Sequence, residues 1–180
     1  MKRSQRKTTA VISFASLFAA MTTIFIYLIH IPYGTTGYIH FGDAIIYLCA
    51  SFVPTPYAVL SAVIGAGLAD FISGYPIYII PTMIIKALIA LTFTSKGKKF
   101  ISKRNVIATV ISFVISVGLY ALTEFFFGIF VYSTPAAGSV ALAASTVLQN
   151  SIQAVASAAI YLPVSAVLDR FNIKSRFDFH

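Results

Sequence analysis

The chain has 180 residues, 58% of them hydrophobic and only 10% charged, and carries a net charge of +8, with a mean hydropathy of +0.88. A soluble domain carries about 25% charged residues, so this composition cannot cover a water-facing surface, and its solvent is lipid. The basic residues sit in blocks between apolar runs and not in a stripe, which points to membrane topology and away from nucleic acid.

Residues 1–7 (MKRSQRK) are basic and precede an apolar run over 8–29. A signal-peptide core spans about 7–15 residues; this run is longer and reads as a first helix. Ala15 and Ala19, like Ser16 and Ala20, are four apart, so they lay a flat stripe that another backbone can approach. That stripe serves either internal packing or the docking of a partner. Residues 30–41 (HIPYGTTGYIHF) read as a loop from their Pro, Gly and Thr content, with aromatics at the membrane interface.

Helix 2 is expected over 42–53, short for a crossing, and Pro54 and Pro56 stop it. Helix 3, over 57–73, carries two ladders of small residues, Ala58–Ala62–Ala66 and Ser61–Gly65–Ala69–Ser73. Such spacing suits close packing in lipid. After Gly74-Tyr75-Pro76, helix 4 is expected over 77–94. A second basic loop, 95–105, leads to helix 5 over 106–130. A Pro/Gly loop, 132–139, leads to helix 6 over 140–168, and the tail is again basic.

The expected fold class is therefore an all-α integral membrane protein, a single bundle of six transmembrane helices over 1–180, at about 20 residues per crossing. The N-terminal block, the helix 4–5 loop and the tail hold every Lys and Arg except Lys86. The positive-inside rule then places both termini in the cytoplasm. Cys49 lies alone in an apolar run and reads as a packed side chain.

Depth sorts the costly side chains. At about 1.5 Å per residue, Asp43, Asp70, Lys86, Glu124, Gln149, Asn150 and Gln153 all fall in the outer half. The inner half holds little polar beyond Ser and Thr. This asymmetry suggests a cup open to the outside, because a channel needs polar lining along its whole length. A mid-membrane charge costs roughly 2.5–3.5 kcal/mol on insertion scales, so Lys86 and Glu124 need partners or a wet cavity. Lys86 fits either solute contact or an ion pair with Asp70 or Glu124. Glu124 suits the nitrogen-rich face of a heterocycle. Gln149, Asn150 and Gln153 fit solute contact or interhelical bonding. Asp43 reads first as a charge at a helix N-terminus. Tyr38, His40, Tyr75 and Tyr78 fit an interfacial belt or stacking on a flat ring. His40 and Asp43 lack further ligands nearby, so no metal site is expected. A phosphate-binding loop, a serine elbow and a zinc-protease pair are all missing, and no catalytic role is expected.

Gly42-Asp43, the run Gly65-x-Gly67-x-x-Asp70, Gly74-Tyr75, Pro81-Thr82 and Ile85-Lys86, with Ala15-x-x-x-Ala19 in helix 1, together resemble the substrate-binding S components of energy-coupling factor (ECF) vitamin transporters. The resemblance implies a multi-pass protein of the bacterial plasma membrane that captures a vitamin or precursor from outside. It also implies docking through helices 1–3 onto a transmembrane coupling subunit driven by two ATPase subunits, with no cofactor of its own and ATP used by those partners. The overall look resembles members assigned to hydroxymethylpyrimidine or pyridoxine, with riboflavin and folate less favoured. Three competing readings are a stand-alone proton-coupled carrier using Glu124 and Lys86, a lipid-active membrane enzyme, and a purely structural subunit.

Overall fold

Backbone in lipid has no water to bond, so each segment must close its own hydrogen bonds, and helix dominates this chain as a result. The computed structural model describes residues 2–33, 37–177 and 179. In order, the elements are α1 (Lys2–Leu28), β1 (His30–Tyr33), β2 (Gly37–His40), α2 (Gly42–Phe52), α3 (Thr55–Ile72), a 3₁₀ turn (Pro76–Tyr78), α4 (Ile79–Thr92), α5 (Lys103–Phe130), α6 (Ala136–Arg170) and a short α7 (Ile173–Arg176).

Among the described residues, four helical stretches are long and apolar enough to cross a membrane: Lys7–Leu28, Thr55–Ile72, Lys103–Phe130 and Ala136–Arg170. Gly42–Phe52 and Pro76–Thr92 are apolar but shorter. Four of the six expected helices thus reach spanning length, and the expected short helix 2 stays short. Pro54 precedes α3 as its cap, and Pro76 opens the 3₁₀ turn that splits the expected fourth helix. Other boundaries move outward. The Ser102 side chain accepts from the Asn105 N–H at 3.2 Å and starts α5 at Lys103. Pro135 caps α6 directly before Ala136, consistent with proline's fixed φ at helix starts.

Within the expected loop at 30–41, His30–Tyr33 and Gly37–His40 pair as antiparallel strands, with His30 opposite His40 and Tyr33 opposite Gly37, while residues 34–36 lie outside the described residues. The Ile and Tyr residues of these strands have high strand propensity, which the Pro and Gly content concealed.

α2 sits at the centre of the bundle: all eleven of its residues are buried, against α1, α3, α4 and α6. α1 packs on α3, α3 on α4, and α5 on α6. α1 and α3 come close at Gly65, where a Cβ would lie 2.6 Å from the Ala19 carbonyl oxygen. The Thr23 hydroxyl reinforces this contact by donating to the Gly65 carbonyl at 2.8 Å. The small-residue stripe of α1 is therefore divided. Ala15 is buried in the core and Ala19 half-buried against α3, while Ser16 and Ala20 are exposed. Ala15 and Ala19 thus take part in internal packing, one of the two readings of this stripe.

The end of the bundle that carries the chain's C-terminal tail is aromatic and tightly bonded. Tyr47 stacks on Phe93 with centroids 4.8 Å apart, and Phe52 stacks on Phe100 at 5.6 Å. Phe177 and Phe179 pack edge-on against Phe14 and Phe52. Beyond Ser and Thr, the polar side chains at this end are bonded to backbone groups. The Asn105 amide donates to the Thr94 and Phe100 carbonyls at 3.0 and 2.8 Å, and accepts from the Thr94 N–H at 2.9 Å. Tyr161 bonds Ser51 at 2.7 Å and donates to the Phe100 carbonyl at 3.2 Å. The Asp169 carboxylate accepts from the Phe100 and Ile101 N–H groups at 2.7 and 3.0 Å. These bonds fasten the α4–α5 connection to the start of α5 and to α6.

Candidate functional site

At the opposite end, the hairpin, α3, the 3₁₀ turn, α4, α5 and α6 converge around a cavity of about 60 Å³. Each element delivers its side chains by simple periodicity. Tyr38 and His40 are two apart on β2, so they share a face of the strand. Tyr120 with Glu124 on α5, and Thr146 with Asn150 or Gln149 with Gln153 on α6, are four apart and share a helix face. All of these residues line the cavity, together with Asp70, Tyr75, Tyr78 and Thr82.

Two carboxylates face this space, and a tyrosine holds each one. The Tyr38 hydroxyl donates to Asp70 Oδ1 at 3.0 Å, and the Tyr78 hydroxyl donates to Glu124 Oε1 at 2.5 Å. Burial, and after it the adjacent Asp70 charge, pushes the Tyr38 phenol well above its ordinary range, so it stays protonated and remains a donor. Asp70 and Glu124 are 6% and 4% exposed. Among the described residues the second oxygen of Glu124, Oε2, has no hydrogen-bond partner, and Asp70 Oδ2 makes no bond of normal geometry, with the Thr82 hydroxyl beside that carboxylate.

The three amides have structural duties as well. Gln149 Nε2 donates to the Tyr38 carbonyl at 2.7 Å, which ties the hairpin to α6. Asn150 Nδ2 donates within α6 to the Thr146 carbonyl at 3.1 Å. Gln153 bridges two groups: Oε1 accepts from the His40 N–H at 3.3 Å, and Nε2 donates to Asp43 Oδ2 at 3.1 Å. The His40 ring accepts at Nδ1 from the Gly42 N–H at 3.2 Å. Tyr38 and Tyr75 lie with ring centroids 5.2 Å apart, offering aromatic faces at the rim.

Lys86 is placed differently from expectation. Its Nζ lies 2.7 Å from Asp43 Oδ1, with both side chains 0% exposed, and 5.2 Å from the centroid of the Tyr120 ring. Its partner is Asp43, not Asp70 or Glu124, and it is not part of the cavity lining. Asp43 also stands in the first turn of α2, where the helix dipole favours a negative charge. A buried lysine and a buried carboxylate each demand a counter-charge, and α2 and α4 bring these two together behind the wall of the site. Among the described residues, no group of three His, Cys, Asp or Glu is placed to hold a metal.

The sequence profile described as "ECF-type riboflavin transporter, S component" matches residues 6–170. The chain belongs to this ECF S-component family. S components are transporter subunits and not enzymes, and they work with an energising module made of a coupling subunit and ATPases. Like the family, this S component is a multi-pass membrane protein. No curated protein matches the chain.

Thr82, Tyr120 and Thr146 of this S component escaped the sequence reading of the site, and Asp70, placed in the outer polar group, reads from sequence only as an ion-pair partner for Lys86. A signal for two of them was available. Tyr120 lies one turn before Glu124, and Thr146 one turn before Asn150, so each shares a face with a residue already chosen. For Asp70 the signal was its depth alone, and nothing in the spacing gave its direction.

Proposed function

We propose that this S component captures a small single-ring heterocycle bearing hydroxyl groups, of the hydroxymethylpyrimidine or pyridoxine kind, and hands it to a coupling subunit served by two ATPases. The observation that carries this reading is the partly open cavity, in which Asp70, Glu124 and three amides gather with aromatic rings at one end of the bundle. Its volume of about 60 Å³ is far below the ~300–1,000 Å³ of pockets for drug-sized ligands. Two carboxylates and three amides around a small cavity suit one ring carrying hydroxyl groups, although the family's description mentions riboflavin.

In the proposed topology, the four long helices and the two short ones together make six membrane passes, with both termini cytoplasmic by the positive-inside rule. The cavity then opens outward. Tyr38, His40, Tyr78, Glu124, Gln149, Asn150 and Gln153 act as binding residues, and Lys86 supports them from behind. Docking on the coupling subunit uses the exposed side of α1, where Ser16 and Ala20 leave a flat surface. The buried pairing of Lys86 with Asp43 removes the lysine from any proton path with Glu124, which disfavours a stand-alone carrier.

Mass spectrometry of small molecules released from the purified protein tests the substrate class directly. A one-ring heterocycle is expected, and a flavin would overturn that part of the reading. Glu124→Gln is expected to weaken binding at least tenfold, about 1.4 kcal/mol, while the protein still inserts and folds. Ser16→Leu with Ala20→Leu is expected to leave binding intact and to stop uptake by cells that supply the energising module. Normal uptake by that double variant would remove this face from the docking surface.

A further inference from the structure

The two carboxylates of the cavity are alike in a way that binding a ring at Glu124 does not require. Asp70 and Glu124 come from different helices, α3 and α5, and each is more than nine-tenths buried. Each has one oxygen fixed by a tyrosine hydroxyl, Tyr38 or Tyr78. Glu124 leaves its other oxygen, Oε2, buried without a hydrogen-bond donor among the described residues, and Asp70 Oδ2 makes no bond of normal geometry there, with the Thr82 hydroxyl beside that carboxylate. An ionised carboxylate only accepts, and a buried acceptor with nothing to accept from is the costly state of a hydrogen-bonding group. The tyrosines aim the pair and cannot satisfy both oxygens of either one.

Charge sharpens this. The lining of the cavity contains no Lys or Arg among the described residues. Lys86, the nearby cation, is 0% exposed and committed to Asp43. The His40 ring accepts at Nδ1 from the Gly42 N–H and is turned toward the Asp43 charge.

We propose that Asp70 is a second solute-binding residue, and that the site selects a neutral or cationic solute with two separate N–H or O–H donors, one for Asp70 Oδ2 and one for Glu124 Oε2, while rejecting the phosphate ester of the same solute. This deepens, and rests on, the binding role proposed above. A phosphate group would meet two carboxylates and no Lys or Arg in the described lining, and like-charge juxtaposition costs several kcal/mol.

The test is isothermal titration of the purified full-length protein with hydroxymethylpyrimidine, pyridoxine and riboflavin, and with the phosphate ester of whichever binds tightest. Asp70→Asn and Glu124→Gln should each weaken the tightest probe at least tenfold. In the unmodified protein the phosphate ester should bind roughly a hundredfold more weakly, equivalent to about 2.8 kcal/mol. Because Asp70→Asn could disturb the fold, the same loss is also sought in the unmodified protein with a probe whose hydroxyl is O-methylated. Normal affinity in Asp70→Asn together with a loss in Glu124→Gln would overturn the two-carboxylate site and leave the receptor reading standing. Equal binding of the phosphate ester would likewise overturn it. Riboflavin as the sole tight ligand, weakened by both substitutions, would support the two-carboxylate site and refute the one-ring reading. Failure of all three probes to bind would overturn both.

Discussion

The two ends of this bundle treat polar side chains in opposite ways. At the tail end, Asn105, Tyr161 and Asp169 are turned onto backbone groups of the α4–α5 connection, and the space between them is filled by stacked rings. At the cavity end, Asp70 and Glu124 keep one oxygen each in reserve, and the rings of Tyr38, Tyr75 and Tyr78 border open space. The same residue chemistry closes a structure at one end and leaves binding capacity at the other. Polarity alone is thus a poor guide to function in a membrane bundle; unspent hydrogen-bonding capacity is a better one.

The largest effect is expected between the ends, at the Lys86–Asp43 pair. Asp43→Asn alone should cost about 3–5 kcal/mol, the usual loss when one member of a buried pair is removed, read as a lowered thermal midpoint in detergent. Combining it with Lys86→Met should restore most of that stability, since neither charge is then left unmatched. An unaltered midpoint in Asp43→Asn would show that the pair is dispensable.

Next comes the α1–α3 contact. Gly65→Val places methyl groups where even a Cβ would meet the Ala19 carbonyl, and overpacking of this kind costs about 1–3 kcal/mol. The same thermal measurement checks it.

The contrast between the ends is probed most directly by two tyrosines. Tyr161→Phe should lose about 1 kcal/mol of stability, typical of one hydrogen bond, with solute affinity unchanged. Tyr78→Phe should do the reverse, lowering affinity severalfold by freeing Glu124 to turn, with little change in thermal midpoint. Matching effects from both substitutions would erase the distinction.

The smallest effect concerns pH. Burial lowers the Lys174 ammonium from 10.5 to about 8, against a raising influence from Asp169. A lysine depressed in the folded state carries its penalty in full below the folded value, and the penalty fades as pH rises toward the unfolded value. The docked tail should therefore resist proteolysis slightly better at about pH 9.5 than at about pH 7, and Lys174→Met should flatten that trend.

Much of the fold could be read from residue order. The apolar runs, the basic blocks between them and the small-residue ladder through Gly65 are one-dimensional signals, and they set the helices and the α1–α3 contact. The hairpin was hidden because its strands are four residues each, too short for alternation to stand out from turn chemistry. The partner of Lys86 was hidden for another reason. Depth along a helix follows from counting residues, whereas direction around its axis depends on how neighbours pack. Depth placed Glu124, Asn150 and Lys86 at similar levels. Packing then put the first two at the cavity wall and turned the third behind it, toward a residue 43 positions earlier in the chain.

The mismatch in length between α2 and α6 bears on how the protein meets bilayers of different thickness. α6 has 35 residues, roughly 52 Å at ~1.5 Å each, against a hydrocarbon layer of ~30 Å, so it must lean or project beyond that layer. α2 has 11, roughly 16 Å by the same rise, yet it is wrapped by protein throughout and presents no side to the acyl chains. Thickening or thinning the surrounding lipid therefore acts on the outer helices first. Asp43, seated in α2, is shielded from that mechanical load.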